Sequence, residues 1–143
     1  MDFLNLELGI MHQYIAPQNL LVDPETDKLL LFDFDWAANG KDYLLDGRDD
    51  VSSVVFTLYE IITNDTHFTS IPYWDRNINM VQNIEWTCHR ELDSDVSKFR
   101  KFLNELVATR TDRPMERYLN APKRLTWPGL PTPPDYSVPY EMG

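Results

Sequence analysis

The sequence predicts a mainly α-helical fold with one small β-hairpin, which is an α+β fold class. Two apolar runs, at 19–22 and 29–32, flank the polar, proline-containing interval 23–28. Such an interval predicts a reversal of direction between two paired strands. Apolar residues recur at spacings of three and four over 51–63 and again over 96–107. This periodicity is typical of amphipathic helices, and the two helices outweigh the short hairpin.

Composition limits the partners that such a domain can have. The chain has 143 residues, of which 43% are hydrophobic and 13% aromatic, which fits one domain with a buried core. The formal net charge is -10, and the 13 Lys and Arg residues form no dense patch. We therefore expect neither nucleic acid nor a membrane surface as a partner. Cys88 is the only cysteine, which excludes an internal disulfide and a cysteine-rich zinc site.

The N-terminal stretch does not resemble a secretory signal. Asp2 and Glu7 interrupt a short apolar segment that has no basic leader, and no apolar run approaches the length of a membrane span. We therefore expect a cytoplasmic or nuclear protein that is not secreted.

The first half of the chain divides into four segments. Residues 1–11 predict the last turns of a packed helix that ends at Gly9. Residues 12–18 predict a loop, because Pro17 disfavours helix at the residue before it. The hairpin follows. The acidic residues before Val51 suit the positive end of a helix over 51–63, and Phe56 and Tyr59 widen its apolar face. This breadth predicts a central helix covered on more than one side.

The second half predicts further helices and a tail. The irregular segment 64–93 predicts one short helix near 78–83. Asp93 or Ser94 is the expected N-cap of a helix that ends near Thr109. Its apolar face is assigned to Val96, Phe99, Phe102, Leu103, Leu106 and Val107. Pro114 predicts the first turn of another helix, which ends at Leu119. The predicted domain covers residues 1–120, and 121–143 is a proline-rich extended tail.

The hairpin also brings two polar side chains together. Its outer ends carry Asn19 on one strand and Asp33 after the other. An amide oxygen and a carboxylate at one place make a plausible cation or phosphate site. Mg²⁺ or Mn²⁺ is the cation considered for Asn19 and Asp33, and no other cofactor is expected.

Several motifs in a fixed order carry a resemblance to a known family. His12, Asn19, Asp33-Phe34 and Asp50-Val51 at the start of an apolar helix resemble the C-terminal lobe of eukaryotic protein kinases. In that family the catalytic loop reads His-Arg-Asp with Asn five positions later, and the metal motif is Asp-Phe-Gly. The sequences of segments 16–26 and 32–35 are most similar to those of kinase-like proteins of filamentous fungi. The resemblance covers about residues 4–63. It is weak in the region of Arg113.

The departures from the family concern its chemistry. The position of the general base is Tyr14, and a phenol is a poor base at neutral pH. Gln13 and Ala16 stand where the family has arginine and lysine, and Asp35 stands in place of glycine. The two metal ligands match Asn19 and Asp33. The resemblance therefore implies a kinase-like protein that does not carry out ordinary protein phosphorylation.

The resemblance also implies what surrounds these residues. The sequence has no Gly-rich loop, no matching strand lysine and no Ala-Pro-Glu motif, so the N-terminal lobe and the activation segment are expected to be absent. His12 is expected to be a packed structural histidine near the Asp33-Phe34 turn. Asp50 is expected to accept hydrogen bonds from the backbone of 12–14. Arg113 matches a late structural arginine that would pair with an acid at position 42, 46 or 49.

Three functions remain open from the sequence. The first is a catalytically inactive kinase-like fragment that acts as a protein-interaction or dimerisation module. The face made by residues 1–11 and the hairpin, which an N-terminal lobe covers in the family, would then be covered by a second copy, another protein or a rearranged tail. The second is an enzyme with a different, non-kinase chemistry. Its catalytic candidates are Tyr14, His12 and Asp35, and it requires Tyr14, Asp33 and Asp35 to converge in one pocket. The third is a truncated reading frame without activity of its own.

Overall fold

The computed structural model describes residues 1–125 and has the predicted α+β composition: it is mostly helical with one two-stranded antiparallel sheet. The strands are β1 (Leu20–Val22) and β2 (Leu29–Leu31), and the helices are α1 (Asp50–Thr63), α2 (Asn79–Gln82), α3 (Val96–Arg110) and α4 (Pro114–Leu119). Short 3₁₀ turns lie at Pro17–Asn19, His67–Ser70 and Tyr73–Asp75. The predicted tail falls mostly outside the described residues, since its segment 126–143 is not among them.

The hairpin forms where the apolar runs predict it. Leu20 pairs with Leu31, Leu21 with Leu30, and Val22 with Leu29. In the turn, the Asp23 carboxylate accepts hydrogen bonds from the N–H of Glu25 (2.9 Å) and the hydroxyl of Thr26 (2.6 Å). Neighbouring residues of a strand point to opposite faces. Leucine side chains therefore lie on both faces of this sheet.

Helix α1 is central, as its wide apolar face predicts. The Asp49 carboxylate caps it by accepting the N–H of Ser52 (2.8 Å), and Asn64 ends it in the left-handed conformation. Its buried side chains pack against α3 and against the segment 64–93, which supplies the core aromatics Phe68 and Trp86. The core cluster comprises Val55, Phe56, Tyr59, Ile62, Phe68, Val81, Trp86 and Leu103.

Helix α3 forms as predicted but begins later. Its N-cap is Asp95, whose carboxylate accepts the N–H of Ser97 at 2.7 Å, and not Asp93 or Ser94. The predicted apolar face is also too wide. Leu103 is buried at 1% exposure, whereas Phe102 is 58% exposed. Adjacent residues of a helix lie about 100° apart, so the core contacts only the stripe 96, 99, 103 and 107.

The N-terminal segment is a single π-helical turn, Phe3–Glu7, and Phe3 is exposed instead of packed. Gly9 follows this turn with φ +68, as the predicted stop requires. A Cβ at this position would lie 2.6 Å from the carbonyl oxygen of Tyr118. Glycine therefore permits the close approach of α4 to the N-terminal segment.

The first residues of the predicted tail belong to this packing. The N–H of Lys123 donates to the carbonyl of Glu7 (2.9 Å), and the N–H of Leu125 donates to that of Leu8 (3.0 Å). Within residues 1–125, no helix is both long enough and apolar enough to cross a bilayer.

Candidate functional site

Asp50, the first residue of α1, anchors the loop that carries the candidate residues His12 and Tyr14. Its carboxylate accepts the backbone N–H of His12 at 2.8 Å and that of Gln13 at 2.7 Å. The side-chain amide of Asn5 donates a third hydrogen bond of 2.7 Å. Burial raises the pKa of the Asp50 carboxyl, and these N–H donors oppose the shift because they stabilise its charged form. The two backbone contacts are those expected of this residue.

His12 is fully buried beneath the turn that follows β2. Its Nδ1 accepts the N–H of Tyr14 (3.2 Å), so its other nitrogen, Nε2, carries the proton and donates to the carbonyl of Phe32 (2.9 Å). The ring also meets that of Phe34 edge-on at 4.7 Å. Both nitrogens are thus occupied by backbone groups, which leaves the imidazole in a packing role.

Tyr14 is half-buried, and its ring lies beside a cation. The guanidinium of Arg48 lies 5.3 Å from the centroid of the Tyr14 ring, 4.9 Å from that of Trp36 and 4.3 Å from that of Tyr73. The phenol oxygen accepts a long hydrogen bond of 3.4 Å from the amide of Gln18. This arrangement holds the ring in place by cation–π contact and supplies no group that would accept a proton from the phenol.

Asn19 and the two acids after β2 are the candidate ion ligands. The buried amide of Asn19 donates to the carbonyl of Tyr14 at 2.9 Å. Asp33 adopts φ +63, a left-handed conformation that aspartate tolerates. Its carboxylate accepts the N–H of Asp35 at 3.5 Å. Within residues 1–125, no three His, Cys, Asp or Glu side chains group closely enough to hold a metal ion. The Asn19 amide nitrogen is thus engaged with the backbone of Tyr14, and the Asp33 carboxylate with the backbone of Asp35.

Arg113 does not make the ion pair that the resemblance implies. Its side chain is 74% exposed and lies 3.7 Å from the carboxylate of Glu116, one turn further along α4. The backbone of Arg113 has φ +47, and the residue precedes the first turn of α4. The expected pairing with an acid at 42, 46 or 49 is wrong, because Arg113 and Glu116 are neighbours on the helix surface.

A different arginine joins the two ends of the domain. Arg110 donates hydrogen bonds from Nε and one terminal nitrogen to the two carboxylate oxygens of Asp2, at 2.9 and 2.6 Å. The hydrogen bond from Arg110 lowers the pKa of the Asp2 carboxyl. Sequence reasoning missed this bidentate pair because no local pattern connects residues so far apart in the chain.

Gln13 is a second structural residue that the sequence did not identify. Its amide nitrogen donates to the carbonyls of Trp36 (2.7 Å) and Tyr43 (2.9 Å), and its oxygen accepts the N–H of Leu45 (2.8 Å). The side chain therefore uses both kinds of amide group to hold the connection 36–45 against the loop. The sequence gives no signal for this role, because the burial of Gln13 is seen only in the folded chain.

One pocket of about 490 Å³ lies beside Gln13 and Asp50 and extends to Arg110 and Tyr118. Burial and, secondarily, the charge of Asp50 raise the pKa of Tyr118 to about 12. The amide of Gln13, the carboxylate of Asp50 and the guanidinium of Arg110 already have the partners given above. These groups hold the domain together through contacts within the chain.

A second cavity, also about 490 Å³, is predominantly apolar. It lies between the hairpin, α1 and α3, and we call it the hairpin groove. Its principal lining residues are Phe3, Leu20, Leu29, Leu31, Ile61 and Phe102. Neither this groove nor the pocket beside Asp50 is lined by Tyr14, Asp33 or Asp35.

The other side of the hairpin is an apolar surface. Leu21 and its cross-strand partner Leu30 are 58% and 51% exposed. The N–H of Phe32 donates to the carbonyl of Asn19 at 3.1 Å, which continues the strand pairing and carries the Phe32 ring to the same side. We call Leu21, Leu30 and Phe32 the outer face. It is part of the face made by residues 1–11 and the hairpin, which the sequence predicts to be covered by a partner or by another segment.

No protein-family model matches this chain, and no solved structure matches it.

Proposed function

We propose that this chain is a catalytically inactive, kinase-like protein-interaction module whose binding surface is the outer face of the hairpin. The observation that carries the proposal is the exposure of Leu21 and Leu30, a cross-strand leucine pair that is more than half accessible on one face of a two-stranded sheet. A small sheet with apolar side chains on both faces needs a cover on each to be stable in water. Within residues 1–125, the outer face has none.

Burial of that face would contribute to association. A fully buried leucine side chain contributes about 2 kcal/mol relative to an exposed one. Leu21, Leu30 and the partly exposed Phe32 together form a compact anchor of the kind found at the centre of protein interfaces. In the purified chain the available partner is a second copy, so the proposal includes a homodimer.

The kinase-like part of the proposal is supported by two sets of contacts. Asp50 at the start of α1 binds the backbone of His12 and Gln13, and the imidazole of His12 supports the turn that contains Asp33 and Phe34. Both match what the resemblance implies for this loop. An aspartate general base is absent because its position is Tyr14, whose ring is held against Arg48. A different chemistry based on Tyr14, Asp33 and Asp35 is not proposed, because neither cavity described above is lined by any of these three residues.

A thermal-shift titration with ATP and Mg²⁺, repeated with Mn²⁺, tests the loss of kinase chemistry. A ligand that binds only the folded state at a hundred times its Kd stabilises a protein by about 2.7 kcal/mol. We expect no saturable shift in Tm for the wild type and none for Asp33→Ala. Saturable stabilisation of the wild type that disappears in Asp33→Ala would contradict the proposal, because Asp33 would then hold a metal–nucleotide complex.

A further inference from the structure

The hairpin groove is a second apolar surface, separate from the outer face. Three large side chains around it, Phe3, Leu29 and Phe102, are each more than half exposed. They come from the N-terminal turn, from β2 and from α3, so they border one concavity from three directions. Binding sites in proteins are commonly concave and lined by apolar side chains, as this groove is.

The pairing register separates the groove from the outer face. Leu20 and Leu31 are cross-strand partners on the groove side, and Leu29 lies two residues from Leu31 on the same side. Leu21 and Leu30 point the opposite way because side chains alternate along a strand. A partner on the outer face would leave the groove uncovered.

The chain leaves the described residues close to this groove. Leu125, the last described residue, donates its N–H to the carbonyl of Leu8. Leu8 ends the short turn that begins at Phe3, and a turn of that length spans about 8 Å. Residues 126–143 therefore start next to the segment that forms one wall of the groove.

We propose that residues 126–143 bind in the hairpin groove of their own chain. At about 3.1 Å per residue, an extended segment of this length reaches about 55 Å, which is ample for the distance. The tether gives it an effective concentration in the millimolar range, well above that of a second copy at micromolar concentration. Intramolecular docking is thus favoured over self-association at this site even when each contact is weak.

The composition of the segment fits the groove. It contains the apolar residues Trp127, Leu130, Tyr136, Val138 and Tyr140, five prolines and no lysine or arginine. Proline-rich segments lose little conformational entropy on binding and dock between aromatic side chains. Phe3 and Phe102 provide two such side chains at the border of the groove.

Photocrosslinking of the full chain tests this proposal. The Phe102→p-benzoylphenylalanine variant places a photoreactive group at the groove, and Leu29→p-benzoylphenylalanine provides a second site on another element. Both positions are exposed, so neither substitution empties the core. Trp74→p-benzoylphenylalanine is the matched control, since Trp74 is an equally accessible aromatic that does not line the groove.

After irradiation, we expect the groove variants to give a product of single-chain mass in which mass spectrometry finds the label joined to a peptide from 126–143. The control should give no such product. A label joined only to a second copy would identify another chain as the occupant and overturn the proposal. Absence of any link to 126–143, or an equal link from position 74, would overturn it as well. The outcome does not depend on the proposed function, because the outer face is on the other side of the sheet.

Discussion

The side-chain amide of Asn5 lies 2.7 Å from Oδ2 of Asp50 and 2.7 Å from the carbonyl oxygen of Ile10. This one amide connects the N-terminal turn to the backbone of Ile10, two residues before His12, and to the first residue of α1. Its own oxygen is buried without a hydrogen-bond partner within residues 1–125. The domain thus accepts one unsatisfied polar atom in order to complete the set of donors around the Asp50 carboxylate.

Replacement of Asp50 by asparagine should destabilise the fold by about 3 kcal/mol, since one of three buried N–H donors would face an NH₂ group instead of an acceptor. The free energy of unfolding in urea measures this change. Asp49→Asn is the matched control at the neighbouring position. Asp49 caps α1 from the surface, where asparagine serves as well as aspartate, so its effect should be within about 0.5 kcal/mol. Equal losses in the free energy of unfolding would show that the buried contacts of Asp50 contribute no more than the helix cap at Asp49.

Leu103→Ala and Phe102→Ala, at adjacent positions of α3, should differ strongly. Leu103 is fully buried in the core, so its truncation leaves a cavity and should cost about 3 kcal/mol. Phe102 is mostly exposed, and its truncation should cost less than about 1 kcal/mol. Thermal or urea unfolding distinguishes the two. A loss of stability from Phe102→Ala as large as that from Leu103→Ala would contradict the contrast between an exposed Phe102 and a buried Leu103.

Asp65 should make stability depend on pH at the acidic end. Hydrogen bonds from the backbone N–H of His67 and the hydroxyl of Tyr59 lower the pKa of Asp65 to about 2. Because the folded-state pKa lies below the unfolded value of about 4, the contribution is present above pH 4 and is lost as the pH falls toward 2. Asp65→Asn should therefore have a lower Tm at pH 6 and a shallower decline from pH 4 to 2.

Tyr59→Phe serves as the control for that series, since it keeps the ring in the core and removes one of the donors to Asp65. Its decline in Tm should fall between those of the wild type and Asp65→Asn. Parallel declines for all three proteins would rule out Asp65 as the source of the acid dependence.

The sequence predicts those parts of the fold that depend on local pattern. The two apolar runs on either side of the polar interval 23–28 locate the hairpin, and the three- and four-residue spacing of apolar residues locates α1 and α3. The contacts of Asp50 follow from the resemblance and are found at the expected backbone groups. Burial is different, because adjacent residues such as Phe102 and Leu103 look equally apolar in the sequence. Only the position of α1 and the core decides which of them is covered.

Polar contacts between residues distant in the sequence could not be predicted from local patterns. Arg113 was expected to pair with a distant acid, but it meets Glu116 on its own helix. Arg110 instead reaches Asp2 near the opposite end of the chain. Both arginines lie at the junction between α3 and α4, and only the packing of the N-terminal turn brings Asp2 within reach of Arg110.

Light scattering of the full chain most directly tests the claim that the outer face binds protein. We expect the wild type to have the mass of two chains at high concentration, and Leu30→Glu to have the mass of one, because a charge on the outer face opposes its burial. Tyr43→Glu, which changes an exposed aromatic side chain elsewhere, should behave as the wild type. A wild type with the mass of one chain at every concentration, or a Leu30→Glu variant that keeps the mass of two, would contradict the account.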